Sequence, residues 1–279
     1  MASKRPQKVL KRHWKQILIF LSVMGPGIIT SNVDNDAGGI TTYSLAGANF
    51  GFSFLWTLIP ITLALIVIQD MSARMGVVTG KGLSDLIRER FGVKVTFYVL
   101  LALFVANLGN IIAEFAGIAA ASEIFNIKRQ LVVPLAAIFI WLIVVKGNYR
   151  SVEKWFLGAS AFYITYIVTG FLVKPEWGNV KGGLLNPTIS FDPASFSMFI
   201  ALIGTTIAPW MQFYLQSSIV EKNIKIREYK HSRLDVILGS IIVNIVAFFI
   251  IMVCASTLFK NGIRIETAKD AALALQPLA

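Results

Sequence analysis

The stretch Ser31-Asn-Val-Asp-Asn-Asp-Ala-Gly-Gly-Ile-Thr-Thr42 decides how this chain is read. It lies inside an apolar run that starts at Trp14 and resumes through Ile40–Ala48. Asp34 and Asp36 place two carboxylates in it, and Gly38-Gly39 follows at once. A membrane helix does not tolerate a break at mid-depth unless that backbone is buried in protein or lines a cavity. A carboxylate there is expensive, so it marks a functional position by default.

The rest of the 279 residues supports a membrane setting. Hydrophobic residues make up 56% and charged residues only 15%, against about 25% charged in an ordinary soluble domain. Seven apolar blocks can be drawn: 14–48 with its break, 52–71, 95–124, 131–145, 152–173, 196–220 and 234–258. Several match the roughly 20 residues that a helix needs to cross a bilayer. The fold class expected is an all-α polytopic membrane protein. The net charge of +11 does not imply nucleic acid, because the basic residues sit between apolar blocks. With the N-terminus inside, 19 of the 26 Lys and Arg residues fall on the cytoplasmic side, as the positive-inside rule requires. Residues 1–13 then form a basic cytoplasmic N-terminus, not a cleavable signal. Residues 174–195 form an extracellular loop. The lone Cys254, within an apolar block, reads as a small core hydrophobe.

The sixth block carries a second interruption, Gly204-Thr-Thr-Ile-Ala-Pro-Trp-Met-Gln212, with Pro209 at its centre. Blocks one and six are five helices apart, so they run in opposite directions. Paired interrupted helices in two inverted repeats point to a transporter's binding site. Asp36 is the leading cation ligand, and it also suits a helix N-cap. Asp34 and Asn35 are neighbours of the site or ligands to it. Gly38 and Gly39 are expected to supply positive φ. Pro209 frees an upstream carbonyl, and Thr205 and Thr206 add hydroxyls. Asn107, Asn110 and Glu114 fall on one face of the third block, a polar stripe that reads as an ion or proton path for Glu114. Asp70 and Arg74 have the spacing of an interfacial ion pair. Glu123 is interfacial, and His13 and His231 form no metal cluster. No nucleotide loop, nucleophile–base set or CxxC pattern is present, so an enzyme is not expected.

These residues resemble the Nramp divalent-metal transporters of the LeuT-type fold. "GPGIITSNVDNDAGGITTYSLAGANFGF", "MSARMGVVTGKGL", "AEFAG" and "GTTIAPWMQFYLQSSIV" follow the family's segments around helices 1, 2, 3 and 6. "ETAKDAALALQPLA" resembles the start of helix 8. The resemblance implies an inverted-repeat fold with broken helices 1 and 6. The first five-helix repeat would be 14–173 and the start of the second 196–279, with the chain truncated before helix 8.

The departures carry the specificity. The family's Asp-Pro-Gly-Asn motif falls on Asp36-Ala37-Gly38-Gly39, so its Asp is kept and its Asn ligand position is Gly39. The sixth-helix Met ligand position is Ala208 and the His position is Trp210. The third-helix Asp position is Ile111, while Glu114 is kept. Loss of a thioether removes the preference for soft transition metals. A wider site with fewer inner ligands suits Mg²⁺, which keeps several waters. Most like the Nramp-related magnesium branch, the chain is expected to carry Mg²⁺, with Mn²⁺ also accepted, and without proton coupling.

The expected metal positions are Asp36, Gly39, Thr205 and Ala208. Asp34, Asn35, Glu114, Thr206 and Trp210 surround them or line the pathway. No cofactor is implied. The partners are the lipid bilayer and the divalent ion, with no nucleic acid, and a monomer is compatible with both. The expected location is the plasma membrane of a bacterium. The competing readings are a proton-coupled Mn²⁺/Fe²⁺ Nramp, an amino-acid or amine symporter of the same fold, and a non-transporting membrane scaffold.

Overall fold

The structure is a computed structural model. It describes residues 33–146, 163–188, 190 and 192–265. The basic N-terminus, the first half of block one including Asn32, the first part of block five and the tail "ETAKDAALALQPLA" lie outside the described residues, as does the side chain of Asp34.

Nine α-helices are formed by the described residues: α1 (Ala37–Phe50), α2 (Leu58–Thr79), α3 (Leu83–Ile124), α4 (Arg129–Lys146), α5 (Ile164–Leu172), α6 (Trp177–Leu185), α7 (Pro193–Thr206), α8 (Pro209–Glu221) and α9 (Tyr229–Cys254). Five segments among them are long and apolar enough to cross a membrane: Leu55–Thr79, Leu83–Ile124, Arg129–Lys146, Pro193–Glu221 and Ile226–Phe259.

Block two begins in a 3₁₀ turn at Leu55–Thr57 and its helix continues past Met71 to Thr79. It stops at Gly80, whose left-handed backbone (φ 64°) closes the helix end, the usual glycine solution at that position. Block three begins earlier than its apolar run. α3 starts at Leu83 and breaks at Gly92 (φ 78°, ψ 176°), a conformation open essentially to glycine alone. The polar segment 83–91 thus leaves the axis of the apolar span that follows. The connection 174–195 is not a plain loop, because α6 occupies its centre. Its Glu176 takes the Lys260 ammonium at 2.7 Å. That bond holds the Glu176 carboxyl below the usual carboxylate range.

α9 is the hub, packing against α1, α2 and α5. Its buried Val246, Ala247, Ile250 and Met252 form the main core with Tyr43 of α1, Leu58 and Ile61 of α2 and Leu202 of α7. Two glycines set the distances that matter for the site. A Cβ on Gly47 would lie 2.4 Å from the Ile251 carbonyl, so α1 and α9 touch backbone to backbone. A Cβ on Gly117 would lie 2.4 Å from the Ala37 Cβ, which brings α3 directly onto the first turn of α1. α3 and α4 pack on each other and leave many apolar side chains exposed, among them Phe97, Leu101, Trp141 and Val144. Apolar side chains suit the outer faces of helices bathed in lipid. Cys254 is buried in the core, as expected of a small hydrophobe.

The Asp70–Arg74 pairing expected from spacing gives way to tertiary partners. The Asp70 carboxylate accepts from the Tyr229 hydroxyl at 2.7 Å and lies 3.7 Å from the Arg233 guanidinium. These bonds tie α2 to the start of α9. Glu123, at the end of α3, pairs with Arg129 of α4 at 3.6 Å.

Candidate functional site

The described residues show the second expected interruption and the C-terminal side of the first. In the first, Val33–Asn35 forms a single 3₁₀ turn, Asp36 is extended (φ −71°, ψ −175°), and α1 begins at Ala37. Asp36 is the N-cap: its Oδ1 accepts the Gly39 N–H at 2.7 Å. In the second, α7 ends at Thr206, Ile207 and Ala208 leave helical geometry, and Pro209 opens α8. Proline has no N–H, so the Thr205 carbonyl cannot receive the bond that a continuous helix would give it. The Ile207 N–H still reaches the Ile203 carbonyl at 2.9 Å.

The two breaks meet in one pocket. It is lined by Asp36, Gly38, Asn110, Ala113, Glu114, Gly204, Thr205, Ala208 and Trp210. The cavity volume is about 50 Å³, which leaves space for a few water-sized bodies. The Glu114 carboxyl faces that of Asp36 and the Ala37 and Gly38 N–H groups at the start of α1. Such a helix start attracts negative charge through its unpaired N–H groups. Two carboxylates this close repel each other unless a cation or a proton stands between them. No cluster of three or more His, Cys, Asp or Glu side chains occurs among the described residues. A cation here would therefore be held by two carboxylates, with hydroxyl, carbonyl and amide oxygens and water completing its shell.

The structure sorts the other expected residues. Thr205 and Ala208 line the pocket, and Trp210 walls it, its ring 6.0 Å from that of Tyr214. Thr206 does not line it. It is fully buried, and its hydroxyl meets the Tyr43 hydroxyl at 2.8 Å and the Leu202 carbonyl at 2.9 Å. Gly39 is buried behind the pocket and contributes its N–H to the cap. The positive φ expected of Gly38 and Gly39 is not found. Both are helical, because the turn is made by extended Asp36. What Gly38 supplies is room, since a Cβ there would stand 3.3 Å from the Asp36 Oδ1.

Asn35 is 1% exposed. Its amide nitrogen lies 3.5 Å from the Val243 carbonyl, and its own carbonyl accepts the Tyr163 hydroxyl at 3.0 Å. It braces the break. Asn110 joins Glu114 in the pocket, and Asn107 does not. Sequence reasoning missed Tyr163. It sits in an unbroken apolar run, and nothing local marks it as the donor for a freed carbonyl.

Residues 27–279 match the family model "Nramp: Natural resistance-associated macrophage protein-like". This chain belongs to the Nramp family. It is 30% identical over 268 residues to the divalent metal cation transporter MntH of Yersinia enterocolitica, covering 93% of this chain and 65% of that protein. It is 28% identical to MntH of Deinococcus radiodurans, covering 95% of this chain and 61% of the relative. The chain thus spans less than two thirds of the length of these two relatives. The fold is that of a manganese transporter from Eremococcus coleocola, solved in complex with an aromatic bis-isothiourea substituted compound. The TM-score is 0.76 at 21% identity, over 95% of this chain and 60% of that one. The expected all-helical transporter fold is supported by this match, and among the described residues the sixth block is broken at Ile207 and Ala208. Membership of a transporter family also agrees with the expectation that the chain is not an enzyme.

Proposed function

We propose that this Nramp chain carries the ion site of a divalent-cation transporter that favours Mg²⁺, accepts Mn²⁺, and works by alternating access without proton coupling. The observation that carries the reading is the pocket between the start of α1 and the α7–α8 break, with its paired carboxylates and no sulfur or imidazole donor among its described lining residues. Divalent transport is supported by family membership and by the MntH relatives.

The preference for Mg²⁺ rests on ligand chemistry. Asp36, Glu114, the Asn110 amide and the Thr205 oxygens are all hard donors, which suit Mg²⁺ and Mn²⁺ more than thiophilic ions. Mg²⁺ gives up its waters reluctantly and binds through one or two carboxylates. The small side chains Ala113 and Ala208, with Gly38 and Gly204, leave space for retained waters. Asp36 would bind the ion through the carboxylate oxygen that does not cap α1. Glu114 would offset the second positive charge. The uncoupled reading rests on Ile111 and Trp210, which supply no titratable group where the family resemblance places an Asp and a His. The bacterial plasma membrane, with a cytoplasmic N-terminus, remains the proposed setting.

A proton-coupled Mn²⁺ carrier is the second reading, favoured by the manganese-transporter fold match. Uptake into proteoliposomes separates the two. Mg²⁺ flux that disappears in Asp36→Asn, with no internal acidification under an inward Mg²⁺ gradient, is the expected result. Mn²⁺ flux that excludes Mg²⁺ and needs an acid-outside gradient would replace the first reading with the second.

A further inference from the structure

On the side of the molecule where α2 ends and α8 passes into α9, a groove of about 570 Å³ opens between the Gly76–Gly80 end of α2 and residues 219–227. It lies far along α2 from the ion pocket and shares no lining residue with it. Its character is mixed in a particular way. Val78 and Ile226 are apolar and 62% and 68% exposed. Lys225 and Arg227 supply two cations, and no acidic residue is among the described residues that line the groove. The Arg227 side chain is 84% exposed, with the Glu228 carboxylate 4.0 Å from it at the edge of ion-pair distance. Lys225 Nζ donates to a neutral group in its own turn, Asn223 Oδ1 at 2.5 Å, while the Glu228 carboxylate accepts the Lys225 backbone N–H at 3.0 Å. The C-terminal ends of α2 and α8 contribute about half a negative charge each, which two full positive charges outweigh.

This pairing fits one occupant. The groove stands at the ends of two membrane-spanning helices, so it lies at the level of lipid headgroups. Exposed apolar side chains at that level meet acyl chains, and Lys and Arg at that level meet phosphate. We propose that the groove is a binding site for the headgroup of an anionic phospholipid. Lys225 and Arg227 hold the phosphate, and Val78 and Ile226 pack against the first methylenes of the chains. A bound lipid would bridge α2 to the α8–α9 connection, the same elements that Asp70 already joins to Tyr229 and Arg233.

The test compares the protein in phosphatidylcholine nanodiscs with and without phosphatidylglycerol, reading thermal midpoint and the phosphatidylglycerol retained in native mass spectra. The wild type should gain thermal stability and retain the anionic lipid. Lys225→Gln/Arg227→Gln should weaken retention roughly ten-fold or more while keeping the wild-type midpoint in pure phosphatidylcholine. Arg88→Gln/Arg90→Gln, the same loss of charge on the 83–91 segment of α3, should retain the lipid. Ile226→Asn, which keeps both groove cations and adds no charge, should also lose it. Equal loss in the Arg88/Arg90 variant would mean diffuse surface charge and overturn the site. Retention in the Lys225/Arg227 variant would overturn it too. A stabilisation reproduced by inorganic phosphate and unaffected by Ile226→Asn would assign the groove to a free anion instead of a lipid.

Discussion

Asp36 does two jobs with two oxygens. Oδ1 caps α1 through the Gly39 N–H, and the carboxyl group also lines the pocket. The roles separate by substitution, because Asn caps a helix about as well as Asp while Ala does not, at a typical cost of about 1 kcal/mol. Asp36→Asn should keep the thermal midpoint within a degree or two in detergent yet lower Mg²⁺ uptake at least ten-fold. Asp36→Ala should lose both uptake and stability. Wild-type uptake by the Asn variant would reduce Asp36 to a cap. Gly117 acts at the same scale through absence. With 2.4 Å between a Cβ there and the Ala37 Cβ, Gly117→Val must push α3 away from the start of α1. Overpacking of this kind costs about 1–3 kcal/mol. It should also separate Glu114 from Asp36, so uptake should fall further than thermal stability alone accounts for. A variant with unchanged uptake would mean that the close approach is incidental to the site.

At the scale of elements, the helix breaks were the most legible feature of the chain and the helix ends the least. Asp36 with two glycines, and Pro209 after two threonines, announce interruptions because each removes or competes for a backbone bond that lipid cannot replace. The start of α3 was hidden, since residues 83–91 are polar and the apolar pattern begins only after Gly92. α6 was hidden for a related reason: its Gly-rich sequence, Trp177–Leu185, carries no strong helical period. α7 had a readable start in Asp192-Pro193. Asp192 caps it, accepting the Ser195 N–H at 3.0 Å and the Ser190 hydroxyl. These bonds favour the carboxylate and bring its pKa down to about 2. A depressed carboxylate stabilises the fold fully above its unfolded value, 3.8, and loses that contribution as pH falls toward 2. Asp192→Ala should therefore lower the thermal midpoint at neutral pH. The gap to wild type should stay constant down to about pH 4 and narrow below it. A gap that widens on acidification would contradict the assignment.

At the scale of the whole molecule, the site is the product of contacts that no local pattern contains. Asp36, Glu114 and Thr205 were readable as polar intrusions in apolar runs. Their convergence depends on the small residues Gly47 and Gly117, which let α9 and α3 close on α1. It depends also on Tyr163, which holds the Asn35 carbonyl from a distance of 128 residues along the chain. Thr206 looked equivalent to Thr205, but one residue further along the helix it turns into the core. The proposed selectivity can be tested at one position. Ala208 lines the pocket at the start of α8, where its methyl group offers no lone pair. Ala208→Met would place a polarisable thioether beside two carboxylates and take up volume that retained waters now require. Thioethers favour softer, more readily dehydrated ions, and Mg²⁺ resists the loss of its waters. In competition assays on proteoliposomes, the variant should bind Cd²⁺ more tightly than wild type, by about ten-fold, while Mg²⁺ uptake declines. Methionine is flexible enough to fit without breaking the core, so an unchanged thermal midpoint would accompany the switch. If Cd²⁺ competition stays at the wild-type level in a folded Ala208→Met protein, the ion does not reach this wall of the pocket, and the hard-donor account of Mg²⁺ preference fails with it.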